Sequence, residues 1–403
     1  MRGRRGSDNV ALPIVDVSSF VVPATASSEA ARAVAVASVR DALEHSGFLI
    51  VSGHGVPASV VTAAHDAYRG FYALPREQKL SFAGSFMQTD AEGKLRHAPR
   101  GYSPGAGDPF AREAFAVQKE DWDPTDPFFH STAAAPWVGT TPAEQNLWPA
   151  EGHPRGFRAA VLRYYREMER LAVVLEEIMA EALGLPPAYF VERANRSISN
   201  MVGFSFVPRK VGIAVPGHDD EGDFTILSHD PARKGSSGLE LQLAEDNPWT
   251  ATESVEKGAR DRLNDHTELK LLNEEERMWY PVEPVSGCFI VNTGNLMHRF
   301  SGGRFQSTMH RVRVTEVGSD PRQSIAFFHT PNADAVVAPV RVGSTAGNRT
   351  AESFEPATSG VLVLERLKLL LPGYGTVEGG DQQRNWEAYL EKNGLSKSGA
   401  PKL

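Results

Sequence analysis

A single cysteine in 403 residues excludes an intramolecular disulfide and fits a reducing compartment, so a cytoplasmic location is expected. No apolar run reaches the ~20 residues that a membrane-spanning helix requires. The basic cluster Arg2–Arg5 is followed by no apolar stretch, so no secretory signal is expected either. A surplus of positive charge is also missing. The formal net charge is -8, and binding a phosphate backbone needs a concentrated basic surface, which argues against a nucleic-acid partner. Internal repeats and low-complexity tracts are absent, which excludes a solenoid. What remains is a globular chain, 41% hydrophobic and 23% charged, long enough to bury a large core. Cys288 lies in the apolar run Cys288-Phe289-Ile290-Val291 and reads as a small buried side chain, since no base is placed beside it.

Residues 1–11 are expected to be disordered. A strand is expected over Leu12–Val17, a helix over Ser28–His45 stopped by Gly47, a strand over Phe48–Val51 and a helix over Ala58–Tyr72. Gly84 to Thr141 is rich in Gly, Pro and Asp and is expected to be irregular. A long amphipathic helix follows from Gly156 to Leu183, its apolar stripe including Leu162, Leu171, Val174, Leu175 and Ile178. From Ser197 to Pro331 the period changes to two and turn signals recur, the mark of antiparallel β-structure. Thr252–Arg277 is highly charged and reads as an insertion between two strands. Helices are expected around Gly360–Leu370 and Asp381–Lys392. The expected organisation is an N-terminal region 12–150, a scaffold helix 151–195, a β core 196–335 with insertion 252–277, and a C-terminal segment 336–403, all one unit.

The chemistry gathers in the β region. In Gly217-His218-Asp219-Asp220-Glu221-Gly222, His218 and Asp220 are two apart, which on a strand puts both on one face and Asp219 on the other. One imidazole and one carboxylate need only a third ligand to form a facial triad that leaves three positions open on iron. His310 is the candidate. Chance supplies a His-x-Asp/Glu triplet about once or twice in a chain with 12 histidines and 50 acidic residues, so the triplet alone is weak. His229 and His298 compete for the role, but neither sits in a same-face pair followed by a second motif. Twelve residues after His310, Arg322 and Ser324 also share a strand face. A guanidinium fork and a hydroxyl suit the far carboxylate of a small dicarboxylate that chelates iron at its other end.

At this point the chain resembles the isopenicillin-N-synthase-like branch of the iron(II)/2-oxoglutarate dioxygenases. Leu12-Pro13-Ile14-Val15-Asp16, Gly47-Phe48, His54-Gly55-Val56-Pro57, Phe71-Tyr72-Ala73-Leu74-Pro75 and Lys79 look like that family's N-terminal part. His218-Asp219-Asp220-Glu221-Gly222-Asp223-Phe224-Thr225-Ile226-Leu227, Gly238-Leu239-Glu240-Leu241-Gln242, Val291-Asn292-Thr293-Gly294-Asn295-Leu296 and Ser301-Gly302-Gly303-Arg304-Phe305 follow in the family's order.

The resemblance implies a mostly β fold with flanking helices, a double-stranded β-helix (jelly roll). It implies His218, Asp220 and His310 as metal ligands and Arg322 with Ser324 as the carboxylate clamp. Iron(II), 2-oxoglutarate and O₂ are the implied cofactor and co-substrates, with ascorbate an optional stimulant. The implied reaction is hydroxylation, desaturation or cyclisation at an unactivated C–H bond of a small molecule, by analogy in specialised metabolism. Asp220 supplies a carboxylate ligand, so no position is vacated for a halide.

Three departures stand out, the first being a His218–His310 separation longer than the family's norm, with the charged Thr252–Arg277 segment accounting for the excess. The family often has a tyrosine before a proline that helps hold 2-oxoglutarate; Phe206-Val207-Pro208 occupies that neighbourhood, with Asn200 as a candidate helper. Asn295 stands where an aspartate is usual. Phe204, Phe224 and Phe328 are candidates to face the substrate. The alternatives are an iron(II) oxidase of the same family that does not consume 2-oxoglutarate, a non-catalytic jelly-roll binding protein, and a zinc hydrolase, which would need a His-Glu-x-x-His run that the chain lacks.

Overall fold

The computed structural model describes residues 12–22, 28–82, 87–89, 95–97, 100–104, 112–121, 125–127, 146–149, 154–232, 238–243, 279–318, 320–340 and 354–370. The stretch 1–11, the insertion Thr252–Arg277 and the helix expected at Asp381–Lys392 lie outside these residues.

The period-two pattern becomes two antiparallel sheets. The larger contains β1 (Ile14–Asp16), β2 (Phe48–Ser52), β5 (Gly101–Ser103), β6 (Glu113–Gln118), β7 (Asn200–Phe206), β9 (Phe224–His229), β12 (Phe289–Thr293) and β14 (Arg322–His329). Their order is β1-β2-β12-β9-β14-β7-β6-β5, with only β1 and β2 parallel. The smaller sheet has the order β11-β10-β13-β8, built from β8 (Gly212–His218), β10 (Leu239–Gln242), β11 (Trp279–Pro281) and β13 (His310–Val314). Two short pairs stand apart: β3 (Met87–Thr89) with β4 (Leu95–His97), and β15 (Val336–Val337) with β16 (Ala357–Thr358).

Helices cover one face of the larger sheet. The helix Phe157–Ala182 buries Val161, Tyr164, Tyr165, Met168, Leu171, Leu175 and Ile178 at three- and four-residue spacing. With Val39 and Leu43 of the helix Glu29–His45, and Tyr68 and Phe71 of the helix Ala58–Tyr72, they pack on Met201, Ile226, Val291, Ile325 and Phe327. Each such side chain, fully buried, contributes about 1.5–3 kcal/mol. Between the sheets a second cluster joins Phe48, Ile50 and Ile290 of the larger sheet to Leu239 and Leu241 of the smaller. One end of the inter-sheet space is therefore packed solid.

The structure corrects the expectation that Gly84–Thr141 is irregular, because β5 and β6 extend the larger sheet there. Glu113-Ala114-Phe115-Ala116-Val117-Gln118 carries two alanines and little local β preference; its strand is made by pairing along β7, from Glu113 opposite Ser205 to Gln118 opposite Asn200. Cys288 precedes β12 rather than lying in it, and is half-buried against the inter-sheet cluster. Burial raises its thiol pKa, which suits packing rather than nucleophilic chemistry.

Candidate metal centre

β8 and β13 pair so that His218 stands directly opposite His310, with ring centroids 4.3 Å apart. His218 is the last residue of β8, and Asp220 lies beyond the strand end. Pleating alone therefore does not aim Asp220, contrary to the sequence reading. The loop is held instead by main-chain bonds. Asn295 N–H donates to the Asp220 carbonyl (2.8 Å), Gly294 N–H to Asp223 (2.9 Å), and Asp223 N–H to the His329 carbonyl (2.9 Å). Two glycines allow this close approach: a Cβ on Gly294 would stand 2.3 Å from the Gly222 oxygen, and one on Gly222 2.3 Å from the His329 oxygen.

In the resulting cluster each ligand has one atom tied and one aimed inward. Nδ1 of His218 bonds the Pro216 carbonyl (2.9 Å) and Nδ1 of His310 the Thr308 carbonyl (3.1 Å). That fixes the tautomer with Nδ1–H donating and leaves each Nε2 lone pair facing the cluster. Asp220 Oδ2 accepts from Thr225 Oγ1 (2.6 Å) and Asn292 Nδ2 (2.8 Å). Its Oδ1 stands 3.9 Å from His218 Nε2 and 3.8 Å from His310 Nε2. Burial alone would raise the Asp220 carboxyl, but His310, His218, Thr225 and Asn292 together hold it below the usual carboxylate range. Burial lowers His310. An ionised carboxylate and a neutral imidazole are the protonation states that metal binding requires.

The other expected residues divide by strand face. Gln323, Ile325, Phe327, Met201, Ser205, Ile226 and Ser228 are sealed under the helices. Their alternates Arg322, Ser324, Phe328, Phe204, Phe206, Leu227 and His229 face the inter-sheet space and all keep accessible surface. This alternation outlines a cavity between the sheets, at the end that the apolar cluster leaves open. Arg322 Nη1 reaches across it to within 3.3 Å of where a Cβ on Gly238, just before β10, would stand.

Two expected roles fail on geometry. Phe224 is fully buried on the helix side, stacked on His329 at 4.6 Å, so it does not face the cavity; the loop after Asp220 shifts the parity, and Thr225 rather than Phe224 points inward. Asn200 pairs with Phe328, whereas Arg322 pairs with Phe206. Six residues of extended chain, roughly 20 Å, separate Asn200 from the Arg322 row, so it cannot assist that clamp.

Sequence reasoning did not find the partners that orient the cluster. Thr225 and Asn292 both lie within the quoted motifs, but only the fold turns their side chains onto Asp220. Asp219 faces away, as expected, and receives Arg366 of the helix Ser359–Leu370. Asn295 donates to Glu221 (3.2 Å), a structural role. His298 is turned to the Phe305 carbonyl (2.6 Å). A second His–carboxylate cluster, Glu176, Asp223 and His329, is sealed beneath the sheet. There His329 Nε2 bonds Glu176 (2.9 Å) and Nδ1 contacts Ser199 Oγ (3.1 Å).

Two family profiles match the chain: the non-haem dioxygenase in morphine synthesis N-terminal family over residues 12–151, and the 2OG-Fe(II) oxygenase superfamily over residues 262–331. The chain belongs to the iron(II)/2-oxoglutarate oxygenases. This oxygenase is 27% identical to validamycin A dioxygenase of Streptomyces hygroscopicus subsp. limoneus, with 91% of this chain and 90% of that protein covered. It is 26% identical to clavatol oxidase of Penicillium crustosum, with 82% and 88% covered. Among solved structures, a full-length Neurospora crassa protein in complex with alpha-KG and thymine superposes with a TM-score of 0.65 at 18% identity, covering 91% of this chain and 99% of that one. A 2OG-Fe(II) oxygenase family protein of Caulobacter crescentus gives 0.64 at 22%, covering 89% and 99%. These superpositions carry the fold, the jelly roll that the resemblance implied. The family's cofactor and co-substrate are iron(II) and 2-oxoglutarate, and the named relatives favour use of 2-oxoglutarate over the oxidase alternative. Among the described residues no helix is long and apolar enough to cross a membrane.

Proposed function

We propose that His218, Asp220 and His310 hold the iron(II), that Arg322 and Ser324 hold the distal carboxylate of 2-oxoglutarate, and that a small molecule is oxidised in the adjoining cavity. One observation supports this above the others. Three ligand atoms converge while the remaining polar atom of each ligand is already bonded, so the cluster is preorganised for one cation. The donor set, two imidazoles and one carboxylate on one side, suits iron(II) with open positions. When bound there with 2-oxoglutarate and O₂, iron supplies an oxidant for an unactivated C–H bond, and 2-oxoglutarate leaves as succinate and CO₂.

The chain's own residues do the rest. Thr225 and Asn292 keep Asp220 ionised and aimed. Phe204, Phe328 and Val202, with Ala114 and Ala116, form an apolar wall that excludes water from the reacting carbon. Arg322 presents a fork to the carboxylate. Two relatives are named for validamycin A and clavatol, and a specialised metabolite with an apolar portion is the substrate class proposed here.

Succinate formation, followed with O₂ uptake against a panel of such metabolites, tests the reading. One succinate per O₂, stimulated by a true substrate and lost in Asp220→Ala, is the expected result. O₂ uptake without succinate would shift the assignment to an oxidase. A purified chain that takes up no iron anaerobically would refute the site.

A further inference from the structure

The cavity wall around Arg322 is unevenly equipped. On the β7 side the neighbours are two phenyl rings, with Phe206 opposite Arg322 and Phe204 opposite Ser324. Neither offers a hydrogen bond, and Phe206 is where the family often has its tyrosine. On the other side Ser324 stands directly opposite His229 of β9. Directly opposed Cβ atoms lie about 4.5–5.5 Å apart. His229 shares the inward face with Leu227 and with Thr225, the residue that bonds Asp220, while Ser228 between them turns to His65 on the helix side.

His229 lies deep enough for burial to push its pKa down to about 4, yet it keeps accessible surface. A neutral imidazole with one N–H donor facing an internal cavity is the outcome. It stands four residues, about 13 Å of strand, from Thr225, which is beyond the metal ligands and level with Ser324.

We propose that His229 is the third donor to the distal carboxylate of 2-oxoglutarate, completing with Arg322 and Ser324 the cradle that Phe206 leaves short of a hydroxyl. This rests on the assignment of Arg322 and Ser324 made above. The carboxylate accepts from the guanidinium fork on one edge, from the Ser324 hydroxyl in the middle and from the imidazole N–H on the far edge. The bond to a charged acceptor is charge-assisted, and its loss costs more than that of a neutral pair.

Binding, not turnover, provides the test. Anaerobic titration calorimetry on the Mn(II)-loaded protein compares 2-oxoglutarate with 2-oxopentanoate, which keeps the chelating end and replaces the distal carboxylate by a methyl group. His229→Ala is expected to weaken 2-oxoglutarate roughly tenfold or more and to leave 2-oxopentanoate and Mn(II) binding unchanged. His229→Gln, which restores an N–H donor, is expected to recover most of the loss. Equal weakening of both acids, or none for 2-oxoglutarate, would overturn the proposal. Arg322→Ala separates the two levels: if it too leaves 2-oxoglutarate binding intact, the clamp assignment fails, whereas a loss there with none at His229 refutes the histidine alone.

Discussion

Two His–carboxylate clusters stand on opposite sides of one loop, and their difference teaches what makes a ligand set. His218, Asp220 and His310 lie on the cavity side; Glu176, Asp223 and His329 lie on the helix side. Both combine histidine and carboxylate within metal-binding distance. In the first, main-chain carbonyls and the Thr225 and Asn292 side chains occupy only the outward atoms, so three lone pairs converge on a shared point. In the second, both nitrogens of His329 are already engaged, by Glu176 and by Ser199. Its Asp223 carboxyl is pushed up to about 8 by burial and by Glu176, so a proton, rather than a cation, balances the pair of acids. On the proposed assignment the first receives the iron, whereas the second ties the long helix Phe157–Ala182 to the motif loop.

The largest expected effect falls on the cavity side. Asp220→Ala should abolish iron binding, measured by metal analysis after anaerobic loading. Turnover should fall about a thousandfold or more, since a bound metal contributes several kcal/mol to the barrier. Next, His329→Leu should leave Glu176 and Asp223 unpaired and cost about 3–5 kcal/mol in chemical denaturation, while iron stoichiometry stays at one. If His329→Leu empties the metal site as fully as Asp220→Ala does, the contrast between the clusters collapses. Asn292→Ala should weaken iron affinity roughly 10–100-fold with little loss of stability, which chelator competition would read.

The smallest effect is in pH. Asp223 is raised in the folded state, so its stabilising contribution is full below the ordinary carboxylate pKa and is lost as pH rises through about 8. His329 is raised as well, against the effect of burial, by Glu176 and Asp223; its contribution is full below the ordinary imidazole pKa and fades in the same upward direction. The melting temperature of the unmodified chain should therefore drop by a few degrees from pH 6 to 9. Asp223→Asn, which mimics the protonated carboxyl, should flatten that slope; an unchanged slope would remove the proton from the account of this cluster.

Much of the proposed catalytic side rests on sequence signals that are local. His218-x-Asp220, His310 and Arg322-x-Ser324 each sit in short runs whose residue types and spacing carry meaning without knowledge of the fold. The helices Glu29–His45, Ala58–Tyr72 and Phe157–Ala182 are legible from periodicity, and Gly47 and Gly184 mark the ends of the first and the last. Local signals fail where an irregular loop or a distant pairing intervenes. Phe224 escapes them because residues 219–223 break the pleat, and Asn200 because only the β7–β14 register reveals its separation from Arg322. Glu176 and His329 are 153 residues apart, and nothing local announces their pairing.

The sequence by itself determined which side chains could bind iron and a carboxylate, since ligand chemistry belongs to residue type and short spacing to secondary structure. Only the tertiary structure decided which of the described histidines keep a nitrogen for the task. His218, His310 and His329 are alike in one dimension. They differ because main-chain carbonyls, Ser199 and Glu176, drawn together by packing of distant segments, determine whether each imidazole still has a lone pair to give.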